Sequence, residues 1–176
     1  CLLCSNIKPP RCHHCRVCRK CVLKMDHHCF WVDRCIGFAN YKSYFLTLLY
    51  AALASLAMLV LLWRNAFSSS GGGGGGGGSG GSLGAKAGWW GSALLAVDAM
   101  LLALLLCGVT YLLCWHCYLV SKNATTIEYY QIQRSRRDPS CPHKVLSHEH
   151  DLGLLQNLRA VLGSNAALWF VPTIPD

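Results

Sequence analysis

Eight of the chain's twelve cysteines fall in its first 35 residues, interleaved with His13, His14, His27 and His28. Thiolate sulfur and neutral imidazole are preferred zinc donors, and a Cys-x2-Cys knuckle brings two sulfurs to one ion from a tight turn. The spacing repeats with a period of 14: Cys1-x2-Cys4-x9-His14-x6-Cys21, then Cys15-x2-Cys18-x9-His28-x6-Cys35. Each copy supplies three cysteines and one histidine, a closed tetrahedral set. The copies overlap, because Cys15 and Cys18 precede Cys21. Two structural Zn2+ ions joined by interleaved loops are therefore expected. Spacing alone leaves two points open. It does not say which histidine of each adjacent pair ligates. Nor does it exclude pairing by sequence neighbour, with Cys1, Cys4, Cys15 and Cys18 on one ion.

Cys29 continues the register of Cys1 and Cys15, but Val32 stands where its knuckle partner would be. Both zinc sets are full without it, so Cys29 is expected to be a free thiol held between His28 and Cys35. The thiolate is the nucleophilic form of cysteine, and nearby positive charge favours it. If His28 ligates, His27 is a spare imidazole two residues away, suited to be a general base or ion-pair partner. Asp26 can then fix its tautomer and stabilise its cation. The competing readings are a turn residue for Asp26, a buried structural cysteine for Cys29, a zinc module that only binds proteins, and a redox-sensing thiol.

The rest of the chain shows what must position this module. Hydrophobic residues make up 53% and charged residues 14%, with a formal net charge of +8. Residues 1–43 form the Cys/His-rich module. Residues 44–63 carry no charge and are long enough to cross a bilayer. Residues 64–92 contain the unbroken run Gly71–Gly78 and read as a flexible linker. A second apolar run, Ala93–Trp115, is interrupted only by Asp98, and the helix is expected over 93–120. Residues 121–176 are a mixed polar tail. The expected fold is mostly α: two transmembrane helices with a small irregular two-zinc module.

Eight Lys/Arg precede the first helix and six follow the second, but only Arg64 and Lys86 lie between. This asymmetry places the module and tail in the cytosol and the glycine loop on the lumenal or extracellular side. The basic module suits an anionic membrane face or an anionic cofactor such as a CoA. No recognition-helix or base-stacking pattern points to nucleic acid. Asp98 reads best as an end-of-helix carboxylate or an interhelical bond. Cys107, Cys114 and Cys117 read mainly as filler, and Cys141, His143, His148 and His150 as a loop; Cys12 is a further thiol that could compete for metal. Leu152, Leu155, Leu158 and Leu162 have helical spacing and are expected to dock the tail.

Lys8-Pro9-Pro10-Arg11, His13-His14-Cys15, Asp26-His27-His28-Cys29, Trp31-Val32, Cys35-Ile36-Gly37-Phe38 and Asn40 together resemble the cysteine-rich domain of the DHHC protein acyltransferases. Thr125-Thr126-Ile127-Glu128 resembles the family's Thr-Thr-x-Glu motif. The stretch from Asn157-Leu158-Arg159 to Asn165, followed by Trp169-Phe170-Val171-Pro172, resembles its C-terminal motif. Phe30 replaces the family's usual Pro, Asp33-Arg34 replaces Asn-Asn, and Cys12 replaces a small residue; none of these removes a ligand or a catalytic group. The resemblance implies an integral-membrane enzyme of the Golgi, endoplasmic reticulum or another endomembrane. It would move a palmitoyl or other long-chain group from acyl-CoA to membrane-proximal protein cysteines. Cys29 would be the acylated nucleophile, with His27 and Asp26 completing the catalytic set. Zinc would be held by Cys1, Cys4, His14 and Cys21, and by Cys15, Cys18, His28 and Cys35. Thr125 or Thr126 would support the site's polar groups and Glu128 would anchor them. Further membrane helices are expected upstream of Cys1.

Overall fold

The computed structural model describes residues 1–5, 7–70, 88–138 and 150–174. Most of the glycine linker, together with Cys141, His143 and His148, lies outside them. The chain divides into two compact units, residues 1–47 with 114–176, and residues 48–113.

The first unit is built on two small antiparallel hairpins. β1 (His13–Cys15) pairs with β2 (Lys20–Val22), and β3 (His27–Cys29) pairs with β4 (Arg34–Ile36). Strands of three residues bury little; among the described residues the hairpins' buried cluster is Cys15, Met25 and Cys35, with Cys18, Val22 and Ile127 against it. So small a core does not hold two hairpins by itself, which is the situation in which metal binding supplies folding energy.

A tight turn after β4 launches the first helix. A Cβ at Gly37 would lie 2.8 Å from the Leu23 carbonyl oxygen, so only glycine fits. The Asn40 side chain accepts from the Gly37 N–H at 2.9 Å and donates to the Cys35 carbonyl at 3.1 Å. Helix α1 (Tyr41–Ser70) follows. It starts before the uncharged run at residue 44 because Lys42 is no obstacle to a helix. Its ammonium is buried, donating to the Leu168 carbonyl at 2.9 Å and the Thr173 hydroxyl at 2.8 Å.

Helix α2 (Gly88–Ser121) ends where Asn123 turns left-handed at φ 43°. After it come α3 (Thr126–Arg137) and α4 (Leu154–Leu162). Val120 of α2 packs with Val161 and Leu162 of α4, and Tyr41, Phe45, Leu158 and Trp169 surround them. Of the four leucines expected to dock the tail, Leu158 and Leu162 do so. Leu152 precedes the helix, and both it and Leu155 are exposed. The stronger anchor is polar. Asn157, fully buried, donates to the Ser121 carbonyl at 2.8 Å and to Asp151 at 2.7 Å, and accepts from the Leu152 N–H at 2.9 Å.

The second unit consists of the remaining lengths of α1 and α2. Tyr41–Asn65 and Trp89–Ser121 are each long and apolar enough to cross a membrane, with mean hydropathies of 2.4 and 2.3. Only 17% and 0% of these apolar windows are buried, the opposite of core helices in a soluble protein. Asp98 lies three turns into α2, in a cavity of about 350 Å3 lined by Met58, Leu62, Leu101, Leu102 and Leu105. The fold is thus mostly helical, with two membrane-capable helices and a cysteine-rich module.

Candidate functional site

Two Cys/His groups gather in the hairpins. Around the His14 Nδ1 atom stand the sulfurs of Cys4 at 3.2 Å, Cys1 at 3.7 Å and Cys21 at 3.9 Å, with 3.6 Å between Cys4 and Cys21. Around the His28 Nδ1 atom stand Cys18 at 3.4 Å and Cys15 and Cys35 at 3.8 Å, with 3.5 Å between Cys18 and Cys35. A tetrahedral zinc with bonds of about 2.3 Å to sulfur and about 2.0–2.1 Å to nitrogen requires edges of roughly 3.5–3.8 Å. The observed separations run from 3.2 to 3.9 Å in the first group and from 3.4 to 3.8 Å in the second, close to those edges. Both groups follow the interleaved partition rather than the sequence-neighbour one, and each draws its imidazole from the second histidine of the pair. Cys12 is buried but belongs to neither group.

Cys29 also stands outside both groups. It ends β3, buried, and the knuckle-like turn after it leads to Val32, which has no ligating atom. Its neighbour two residues back, His27, bonds the Asp26 carboxylate through Nδ1 at 2.7 Å. The ring nitrogen left to serve the Cys29 thiol is therefore Nε2, and His27 favours the thiolate form of Cys29.

Asp26 has no exposed surface, so its charge needs strong compensation. The start of α3 supplies it. The Thr126 N–H, one of the helix's unpaired first-turn donors, meets Oδ1 at 2.8 Å, and the Thr126 hydroxyl meets Oδ2 at 2.9 Å. Burial alone would raise the Asp26 pKa, but the bonds from His27 and Thr126 hold it below the ordinary carboxylate value. Burial likewise opposes charge on His27, yet Asp26 and Cys29 raise its pKa above that of a free imidazole. Burial opposes the Cys29 thiolate too, and the His27 bond with the Trp31 and Val32 amides pulls that thiol below its usual range. The three shifts favour an imidazolium–thiolate pair backed by a carboxylate.

Thr125 and Glu128 hold the helix end that carries Thr126. Thr125 caps α3 by accepting from the Glu128 N–H at 3.2 Å, and Glu128 returns a bond to the Thr125 N–H at 2.8 Å, a capping box. The Glu128 carboxylate also takes a two-pronged bond from Arg11, at 2.6 and 2.8 Å. Burial is again overcome, and Arg11 holds the Glu128 carboxyl below its ordinary value. Arg11 donates further to the Asn123 carbonyl at 2.7 Å, and Lys24 to the Asn123 side chain at 2.9 Å. Burial, with Arg11 nearby, pushes Lys24 down to about 8.

Several neighbours were not legible as site residues. Arg11 had no predicted partner. Tyr41, Tyr44 and His116 gave no local signal, although His116 is an ionisable residue inside an apolar helix, a feature that by itself marks a candidate site. Its ring lies 6.1 Å from that of His27, and the Tyr44 ring is edge-on to both.

A membrane-capable helical chain with two Cys3His groups beside an Asp–His–Cys relay defines a narrow class, and comparison with known proteins agrees. The DHHC palmitoyltransferase family model matches residues 1–133. Over 98% of its length the chain is 40% identical to the probable protein S-acyltransferase 15 of Arabidopsis thaliana, covering 63% of that protein. It is 38% identical to the probable protein S-acyltransferase 16 of the same plant (57% covered) and 35% identical to palmitoyltransferase ZDHHC2 of Mus musculus (42% covered). The chain belongs to the DHHC palmitoyltransferase family, and it spans from two fifths to under two thirds of the length of these relatives.

Proposed function

We propose that this chain carries the catalytic centre of a protein S-acyltransferase that takes a long-chain acyl group, palmitoyl foremost, from acyl-CoA. The observation that carries this reading is the buried Asp26 carboxylate bonded to His27 Nδ1 two residues from Cys29, a buried cysteine outside both metal groups. His27 Nε2 accepts the Cys29 proton, and Asp26 holds the imidazole in the tautomer that can do so. The Cys29 sulfur attacks the thioester carbonyl; a bond forms to Cys29 and the bond to the CoA sulfur breaks. The departing CoA thiolate takes the proton back from His27, leaving acyl-Cys29. In the second half His27 takes the proton of a substrate cysteine thiol, that sulfur attacks the carbonyl, the bond to Cys29 breaks, and His27 returns the proton to the Cys29 sulfur. A thioester is exchanged for a thioester, so positioning and nucleophile activation are the main demands.

Cys1, Cys4, His14 and Cys21 would hold one Zn2+, and Cys15, Cys18, His28 and Cys35 the other. Each set of four donors would close a tetrahedral shell, so the ions would supply folding energy and rigidity to the strands that carry His27 and Cys29. Thr125, Thr126 and Glu128 act through Asp26, fixing its carboxylate at the head of α3. The divisions expected from the sequence stand as part of the proposal: module 1–43, membrane segments 44–63 and 93–120, lumenal loop 64–92 and tail 121–176. Module and tail face the cytosol of an endomembrane such as Golgi or endoplasmic reticulum. The substrates are proteins with cysteines near the bilayer, where the transferred acyl chain can stay in lipid and avoid the cost of about 0.8 kcal/mol per methylene of entering water.

The test is incubation of the protein in lipid with labelled palmitoyl-CoA. A hydroxylamine-sensitive label should appear on the wild type and be absent from Cys29→Ser. Label persisting on the Ser variant assigns the attack to another cysteine, and an unlabelled wild type favours a module that only binds.

A further inference from the structure

Asp26, His27 and His116 each bring a ligating atom within 4.8 Å of the other two. Metal binding is one use of such a trio, but its atoms are largely engaged. Asp26 Oδ1 accepts from the Thr126 N–H, while Oδ2 accepts from the Thr126 hydroxyl and is bonded to His27 Nδ1. His116 Nδ1 is bonded to the Tyr41 hydroxyl at 2.9 Å. What remains is a packed, hydrogen-bonded wall around one imidazole.

His116 is 2% exposed on a largely apolar helix, where a buried imidazole is costly unless its polar atoms are used. Tyr41 uses one of them. The Tyr44 ring meets His27 at 5.3 Å and 69°, and meets His116 at 5.0 Å and 80°, both edge-on. The two imidazoles lie 6.1 Å apart, tilted by 39°. The His27 ring is therefore held at one point by Asp26 and packed against Tyr44 and His116. This matters because the terminal torsion of histidine is broad and two-fold. A half-turn would take Nδ1 from Asp26 and Nε2 from Cys29 together.

We propose that His116 is a positioning residue: anchored by the Tyr41 hydroxyl, it fills the space beside His27 and keeps that imidazole in the orientation that joins Asp26 to Cys29. The inference rests on the reading of Cys29 as nucleophile, so its test probes Cys29 in two independent ways. Protein in lipid nanodiscs is treated with iodoacetamide, without acyl donor, and the alkylated Cys29 peptide is followed by mass spectrometry. Formation of acyl-Cys29 from palmitoyl-CoA is measured in parallel, with zinc content.

His116→Phe keeps ring bulk and removes both nitrogens. It should slow both reactions about tenfold, within the range that small misplacements of a reacting group produce, with zinc retained and KM for palmitoyl-CoA unchanged. His116→Gln, able to accept from Tyr41, should recover to within about threefold of wild type, and Tyr41→Phe should slow both about threefold. Wild-type rates in His116→Phe overturn the proposal, as does a Gln variant no faster than Phe. If His116→Phe loses zinc, Tyr41→Phe decides, and a wild-type rate there overturns it. If wild-type Cys29 takes no acyl group while its alkylation still responds to His116, the acyltransferase reading fails and the positioning role is upheld.

Discussion

The two hairpins are fourteen residues apart and almost the same object, yet only one is built for chemistry. Cys12-His13-His14-Cys15 leads one and Asp26-His27-His28-Cys29 the other. In both, His-His-Cys is a three-residue strand, and its central histidine faces a cysteine across the ladder: His14 opposite Cys21, His28 opposite Cys35. The turn after each knuckle even repeats three times. Ser5, Arg19 and Asp33 adopt left-handed φ of 51°, 52° and 46°. The third copy, at Cys29, thus keeps the knuckle backbone and lacks only the second sulfur, because Val32 stands in its place. The first histidines diverge accordingly. Burial and Lys8 lower the His13 pKa against a weaker pull from Glu128. For His27, Asp26 and Cys29 outweigh burial and raise it. Equal backbones carry unequal chemistry because one position changed from Cys to Asp, and because α3 arrives to neutralise that Asp.

The comparison can be broken most forcefully at the metal groups. Cys18→Ala should lose zinc from the second hairpin and unfold it, since metal binding to such sites is worth about 10–16 kcal/mol of apparent folding energy. Cys4→Ala should release the zinc of the first hairpin. Metal analysis of each variant reads this directly, and a Cys18→Ala protein that retains both ions would refute the ligand set.

Asp26→Asn comes next. It keeps the acceptor shape and removes the charge, so acyl-Cys29 formation should fall about 10²–10⁴-fold with zinc unchanged, the range seen when an orienting carboxylate is neutralised. The reciprocal change, Cys12→Asp, should not make Cys15 labelable, because its sulfur stays committed to a metal group.

Glu128→Gln should cost about 2–3 kcal/mol of stability, read by chemical denaturation, because it leaves Arg11 partly buried without its carboxylate. That loss should itself depend on pH. Glu128 and Asp26 both titrate below their ordinary values. Their contribution is full above the unfolded values near about 4 and fades as pH falls through the folded ones. His27 has the opposite sign: it contributes below about 6.5 and loses its contribution as pH rises through its raised value.

The smallest expected effect concerns Cys29 itself. Its alkylation midpoint should lie below the about 8.5 of a free thiol, and His27→Ala should move it upward. An unmoved midpoint would remove His27 from the activation of Cys29.

The metal groups, the unpaired thiol and the two apolar spans were legible because each is a matter of counting along the chain. A period of 14 displays ligand sets without any fold, and twenty uncharged residues declare a bilayer length. Helix limits were less legible: α1 includes Lys42, whose charge interrupts a hydropathy count but is absorbed by the Leu168 carbonyl and Thr173. The docking of α4 was read from its leucines, yet Asn157 does much of the holding, and a buried amide has no periodic signature.

Sequence by itself determined the candidate metal-binding cysteines with a choice of histidine in each pair, which thiol lacks a knuckle partner, and that an imidazole and a carboxylate precede it. Those follow from spacing, because ligand geometry within a hairpin spans only a few residues. Tertiary structure alone decided that Thr126 rather than Thr125 bonds Asp26, that Glu128 bonds Arg11, that His116 and Tyr44 pack against His27, and that Tyr41 bonds His116. These contacts join residues between 17 and 117 positions apart. Charge and burial act through space, so a carboxylate's ionisation at zero exposure is set by whichever helix end the fold brings to it.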